Sequence, residues 1–213
     1  MNLFPAQSFD IDAIMRIERQ AFIPAIQEKK SAFEKRIKVF QQGFPILCDC
    51  GEKTVKENGG SLVCGYFCSE IWDSMPQPSD SDKVFSRRFA LGHNIKDTHS
   101  PSGKYLYVSS FALLREYQGK GLGKKFFESA VASLCGAFPL VDEVVLLVDS
   151  EWTGARSIYD SLGFSVARVL PGFFPTLTKK VFADGIVMKC PAGNFRSIEF
   201  PNEKENELAG IVL

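Results

Sequence analysis

The sequence predicts one α/β domain built on a mixed sheet flanked by helices. Three observations carry that expectation. Tyr105–Leu114 reads as a strand, the stretch from Leu122 to Leu134 as a strongly periodic helix, and Val144–Val148 as five consecutive apolar residues suited to a strand buried on both faces. Strand, helix, strand at that spacing is a βαβ unit with parallel strands. Earlier in the chain, two strand-like runs flank Asn58-Gly59-Gly60, a hairpin signal, so antiparallel pairing is expected beside the parallel pair.

In chain order, Asp10 can cap a first helix whose Ile11, Ile14, Met15 and Phe22 share one stripe. Phe33, Ile37 and Phe40 mark a second helix, ended by Gly43-Phe44-Pro45. The strand runs Phe44–Cys50 and Leu62–Trp72 follow. Residues 73–103 are polar and hold Pro76, Pro78, Pro101, His93 and His99, with a short helix expected around 80–90. Connections this long tend to be functional or mobile. After the βαβ unit, Ala155, Ile158, Tyr159 and Leu162 form a short helix stopped by Gly163. Phe164–Leu170 and Lys180–Cys190 read as strands around a loop, Pro171–Lys179. The domain is placed at 1–193, with 73–103 as an insertion, and 194–213 as an appended strand and tail.

At 213 residues the chain is about 1.4 times a typical domain of ~150. Twenty-five basic residues balance 25 acidic ones, which argues against a polybasic partner of nucleic acid or a membrane surface. No run approaches the ~18 apolar residues of a membrane span. Met1–Asp10 lacks the basic and apolar regions of a secretory signal, so a cytoplasmic protein is expected. Cys48, Cys50, Cys64 and Cys68 lie in strand-like runs rather than on zinc knuckles, and are read as reduced core thiols with no metal.

The informative feature is Gln118-Gly119-Lys120-Gly121-Leu122-Gly123-Lys124-Lys125, between a strand and a helix. Glycines there let backbone N–H groups approach an anion, and the helix end adds about half a positive charge. A P-loop fails, because residue 118 is Gln and residue 125 is Lys. A Rossmann fingerprint fails on its G-x-G-x-G spacing and on its place, after two helices and three strands. The loop [QR]-x-x-G-x-[GA], which binds the pyrophosphate of coenzyme A, is matched by Gln118, Gly121 and Gly123.

With that loop, the chain resembles the GNAT superfamily of acetyl-CoA-dependent N-acetyltransferases. Phe4-Pro5-Ala6, Asp10 and Ile14 resemble its opening strand and helix, and Phe111-Ala112-Leu113 with Tyr117–Gly123 its acetyl-CoA strand and loop. Ala155, Ile158-Tyr159 and Leu162-Gly163-Phe164 resemble its second signature, and Asp184–Lys189 its closing strand. A further likeness, through Ala21-Phe22, Leu62-Val63, Ile71-Trp72-Asp73, Phe89–His93 and Gln118–Gly121, is to the arylalkylamine N-acetyltransferases. Where that subgroup has two strand histidines, this chain has Tyr107 and Ser109.

The resemblance implies a central mixed sheet of six to seven strands, with acetyl-CoA in the splay between its two central parallel strands. It implies that Phe111, Ala112 and Leu113 pair with pantetheine and that the Leu113 N–H lies near the thioester oxygen. Gln118, Gly119, Lys120, Gly121, Leu122, Gly123 and Lys124 would hold the pyrophosphate, and Tyr159 would protonate the departing thiolate. Trp152 stands where the family often has Asn, so a pantetheine contact is either missing or supplied by Ser150 or Thr153. The acceptor is an amine, and freeing it from its proton at neutral pH costs about 4 kcal/mol, so a base or water relay is needed. Tyr107, Ser109, Glu70 and His93 are the candidates, with plain solvent exposure the alternative for Glu70 and His93. Strand alternation puts Tyr105, Tyr107, Ser109 and Phe111 on one face. Trp72, Phe173 and Phe174 are read either as acceptor-pocket walls or as core. A small-molecule amine is the expected partner of a monomer or homodimer. A peptide or protein amine is the alternative, because Pro171-Gly172-Phe173-Phe174-Pro175 resembles the aromatic turn of peptide-acetylating members. A non-catalytic acyl-CoA-binding module is the reading from another class.

Overall fold

Apolar periodicity sets the order of elements in this computed structural model, which describes residues 1–49, 63–176, 182–196 and 211–212. Strand β1 (Asn2–Pro5) leads to helices α1 (Ile11–Ala21) and α2 (Lys30–Val39), then to β2 (Pro45–Cys48) and β3 (Val63–Trp72). Two short helices, α3 (Asp82–Arg88) and α4 (Ile95–Thr98), precede β4 (Tyr105–Leu113). Helix α5 (Leu122–Ala137), β5 (Glu143–Asp149), α6 (Thr153–Ser161), β6 (Ser165–Pro175), β7 (Phe182–Pro191), α7 (Gly193–Arg196) and β8 (Ile211–Val212) complete the described elements.

These strands form one sheet in the order β6-β7-β5-β4-β3-β2-β1-β8. The β4–β5 pair is parallel, as the βαβ spacing predicts, and the pairs on either side, β3–β4 and β5–β7, are antiparallel. On one face, α5 lays Phe126 and Phe127 against Phe67 and Phe111 of the sheet. Elsewhere, Trp72, Phe85, Phe89, Tyr107, Val145, Leu170 and Val187 form a second buried cluster. The high phenylalanine content therefore fills this core, where each buried ring contributes about 1.5–3 kcal/mol.

Three expectations are corrected or left aside. Pro171–Pro175 belongs to β6 rather than to a loop: Phe174 pairs with Ala183 and Pro175 with Phe182, and a register shift between Leu170 and Phe174 absorbs the residues between. Because β6 is the sheet edge, Pro171 and Pro175 withhold N–H groups on a strand that has a free side. The alternation drawn for β4 breaks at Ser109. Tyr107 pairs with Glu70 and Val108 with Ser69, but Ser110 pairs with Cys68, so Ser109 is the extra residue of a bulge. Phe111 is thereby turned onto the α5 side, away from Tyr107. The Asn58-Gly59-Gly60 turn, Cys50 and most of 194–213 lie outside the described residues.

The 73–103 segment is tied down. Phe85, Phe89 and Ile95 are buried, the Ser100 N–H donates to the Ile71 carbonyl at 2.8 Å, and the Lys104 N–H donates to the Trp72 carbonyl at 2.9 Å. Its Phe85 and Phe89 belong to the buried cluster that Trp72, Tyr107, Val145, Leu170 and Val187 form across β3, β4, β5, β6 and β7.

Candidate active site

The bulge at Ser109 coincides with a parting of the sheet. β4 pairs with β5 over Tyr105–Val108 and Glu143–Leu146, and no further. Beyond that point β4 continues with β3 to Leu113, while β5 continues with β7 to Asp149. Among the described residues, no strand pairs with the β5 side of β4 from Ser109 to Leu113. That edge offers backbone donors and acceptors to an extended ligand, as an open strand edge does to a peptide. Phe111 and Ala112 sit on it, and Leu113 ends it.

The glycine loop meets the end of this edge. Gly119 and Gly121 adopt φ of +72° and +77°, which a side chain resists, and a Cβ built on either would meet nothing within 4 Å. Gly121 is the N-cap of the 16-residue α5, and no side chain caps the helix, so the amides of Leu122, Gly123 and Lys124 open toward the same space. Gly123 lies tight between the Leu113 and Ile158 side chains, where an added Cβ would stand 3.3 and 3.5 Å from them. Gln118 turns its amide inward, and its Nε2 donates to the Leu113 carbonyl at 2.9 Å. This bond ties the loop to the strand. Lys120 is exposed, with Nζ 5.8 Å from the Tyr117 ring centre, and Lys124 is partly buried on α5. Ser150 stands just past β5, with its N–H donated to the Asp184 carbonyl at 2.9 Å.

Tyr159 reaches the cleft from α6. Its ring packs on Phe127 and Phe164, with centroids 5.1 and 5.7 Å away. It lines the cleft, and among the described residues its hydroxyl has no hydrogen-bond partner. Burial holds the phenol above the ordinary tyrosine range.

On the other side of the bulge the cleft is polar. Arg36 is 3% exposed, with Nη1 donating to Ser109 Oγ at 3.2 Å and Nη2 lying 3.3 Å from His93 Nε2. It faces Glu28 at 3.8 Å and Glu70 at 3.9 Å. Glu70 is fully buried and takes hydrogen bonds from His93 and, at 2.5 Å, from Thr98 Oγ1. Burial pushes its carboxyl up, but the bonds from His93 and Thr98 and the charge of Arg36 hold it below the usual carboxylate range. His93 is not the exposed loop residue that its position allowed: its ring nitrogens meet the Ala90 carbonyl and Glu70, and it lines the cleft. Tyr107 also lines the cleft, stacked on Trp72 at 4.0 Å, and burial raises its phenol. Ser109 and Tyr107 are thus brought together at the cleft, while Glu70 stands behind His93 and Arg36.

An aromatic wall closes the far side. Phe22 lies 5.4 Å from Trp152, Trp152 lies 5.7 Å from Phe174, and Phe174 lies 5.0 Å from Phe173. Phe173 and Phe174 line the cleft, whereas Trp72 is sealed in the core behind Tyr107.

The cleft also contains three buried charges that the sequence reading passed over, Glu18, Glu28 and Arg36. Two of them interrupt an apolar stripe, Glu18 between Ile14 and Phe22 and Arg36 between Phe33 and Phe40. That interruption is the signal that could have found them.

No family model matches the sequence, and no curated protein matches it. Solved structures do match. The loading GNATL domain of CurA from Lyngbya majuscula aligns with a TM-score of 0.68 at 16% identity, covering 90% of this chain and 98% of that one. A GphF GNAT-like decarboxylase in complex with isobutyryl-CoA aligns at 0.66 and 12% identity, covering 90% and 100%. The ribosomal-protein-S18-alanine N-acetyltransferase from Escherichia coli aligns at 0.59 and 18% identity, covering 90% and 94%. The chain has the GNAT fold. In this GNAT fold the parting of β4 from β5 and Tyr159 meet at one cleft, and the glycine loop abuts the end of the same β4 edge through the Gln118–Leu113 bond. Among the described residues there is no cluster of three or more His, Cys, Asp or Glu side chains that could hold a metal, no disulfide, and no helix long and apolar enough to cross a membrane.

Proposed function

We propose that the protein transfers the acetyl group of acetyl-CoA to the amine of a small molecule by direct attack. The observation that carries this reading is the convergence of the unpaired β4 edge, the open amides of α5 and the Tyr159 hydroxyl. The edge from Ser109 to Leu113 would pair with pantetheine. Gly119 to Lys124 would hold the pyrophosphate through backbone N–H groups and the two lysines. Gln118 would act by fixing the loop against Leu113, and Ser150 would flank the cofactor at the end of β5. Acetyl-CoA supplies an activated thioester carbonyl.

Tyr159 would deliver a proton to the departing sulfur, since burial keeps its phenol protonated. Tyr107, Ser109 and Glu70 would form the polar floor of the acceptor side, with Glu70 ordering His93 and Arg36. The acceptor class is read from the walls. Carboxylates on one side and Phe22, Phe174 and Phe173 on the other suit an amine with an apolar or aromatic body. Ile26 and Phe174, which line the cleft, form a small buried cluster with Ala183, and this apolar wall favours a compact acceptor over an extended peptide.

The test incubates the protein with acetyl-CoA, a thiol-reactive dye and panels of arylalkylamines, polyamines, amino acids and short peptides. Thiol release with an arylalkylamine is expected. Release with peptides alone would transfer the reading to peptide acetylation. Tight acetyl-CoA binding with no release from any acceptor would leave a binding module.

A further inference from the structure

We propose that Glu18 is the base that takes the proton of the acceptor amine. This rests on the acetyl-transfer reading and adds the residue that the sequence left unassigned.

Glu18 lies in the last turn of α1, 1% exposed overall, and lines the cleft. One carboxylate oxygen accepts the Glu28 N–H at 2.7 Å, and the other accepts the Tyr66 hydroxyl. The same hydroxyl lies 2.7 Å from Ser110 Oγ. Ser110 follows the bulge, on the strand edge where the thioester would lie. The carboxylate is therefore fixed to the very segment that would position the reacting carbonyl.

Unlike Glu18, the other candidate carboxylates face a cation. Glu28 and Glu70 both face Arg36, and Glu70 carries further bonds from His93 and Thr98. Both His93 nitrogens meet oxygen acceptors, and Ser109 Oγ donates to the Cys68 carbonyl while accepting from Arg36. Among the described residues, no Lys or Arg forms an ion pair with Glu18. The ionisable groups facing it are Tyr66 from β3 and Glu28 ahead of α2, with Arg36 of α2 beyond Glu28; Ser110 on β4 does not titrate. Burial, reinforced by the Glu28 charge, outweighs the bonds from Tyr66 and Glu28 N–H and raises the Glu18 carboxyl to about 7. A base poised there is matched to a neutral medium.

The step balances as follows. The bound ammonium gives one proton to Glu18. The freed nitrogen lone pair forms the N–C bond as the C–S bond breaks and its electron pair stays on sulfur. Sulfur takes a proton from Tyr159, the second nitrogen proton restores the phenol, and Glu18 releases its proton to solvent. The products are the amide, the thiol and one proton.

The test measures kcat/KM against pH for the full chain with an accepted amine. In the wild type, turnover is expected to fall below a midpoint near 7 as Glu18 becomes protonated. Glu18→Gln is expected to lower kcat/KM about 100-fold at neutral pH and to abolish that acid limb, with acetyl-CoA affinity unchanged. Tyr66→Phe removes a bond that favours the charged form, so its acid limb is expected at higher pH; this variant serves if Glu18→Gln does not fold. A Glu18→Gln enzyme with turnover near wild type, or with an intact acid limb in its residual rate, overturns the proposal, and so does an unmoved limb in Tyr66→Phe. Silence of the wild type toward every amine sinks the acetyl-transfer reading itself, and Glu18's role with it.

Discussion

Gly121→Val is expected to weaken coenzyme A binding at least about 100-fold, which corresponds to roughly 3 kcal/mol. Two effects act at this position, and they separate experimentally. At φ +77° a β-branched side chain is strained by about 1–3 kcal/mol whether or not ligand is present, and this appears as a lower melting temperature. The second effect appears only on binding. A Cβ at Gly121 meets no protein atom within 4 Å, so the valine methyls would fill the space the α5 amides face, where a pyrophosphate would sit. Calorimetric titration with coenzyme A and with pantetheine distinguishes them. Pantetheine lacks the pyrophosphate and is expected to bind wild type and variant alike. Equal coenzyme A affinity in a folded variant would remove the loop from the binding site.

Tyr159→Phe is expected to reduce kcat about 100-fold, the scale of a positioned acid, while acetyl-CoA affinity stays within about threefold. The substitution keeps the ring that packs on Phe127 and Phe164, and the hydroxyl it deletes has no protein partner among the described residues, so the fold loses little. Because burial lifts the phenol above its ordinary range, Tyr159 stays protonated throughout the neutral region. The acid limb of the pH profile is therefore expected to survive in this variant. Single-turnover kinetics with saturating acetyl-CoA make the measurement, and an unchanged rate of thiol release would take Tyr159 out of the acid role.

The parallel strand pair, the glycine loop and the helix carrying Tyr159 were legible because each rests on local pattern. Period 3.6, a five-residue apolar run and glycines before a helix need no knowledge of distant contacts. Ser109 was not legible as a bulge, because nothing in Tyr-Leu-Tyr-Val-Ser-Ser-Phe marks which residue lacks a cross-strand partner. That single extra residue moved Phe111 to the opposite face. The β6 continuation through Pro171 and Pro175 was hidden for a related reason: proline signals a loop unless the strand is known to be an edge. The charged cluster was missed because its members are distant in sequence. Arg36 meets His93 and Ser109 across 57 and 73 positions, and only the folded 73–103 segment delivers His93 to Glu70.

The two tryptophans give the protein a built-in optical reporter. Trp72 is fully buried, stacked on Tyr107 and covered by the Arg88 guanidinium at 3.8 Å, so its emission is a steady background. Trp152 is partly exposed in the cleft wall between Phe22 and Phe174, where any occupant changes its solvent contact. Intrinsic fluorescence, with Trp72→Phe to silence the background, can therefore follow cleft filling without a label and without turnover.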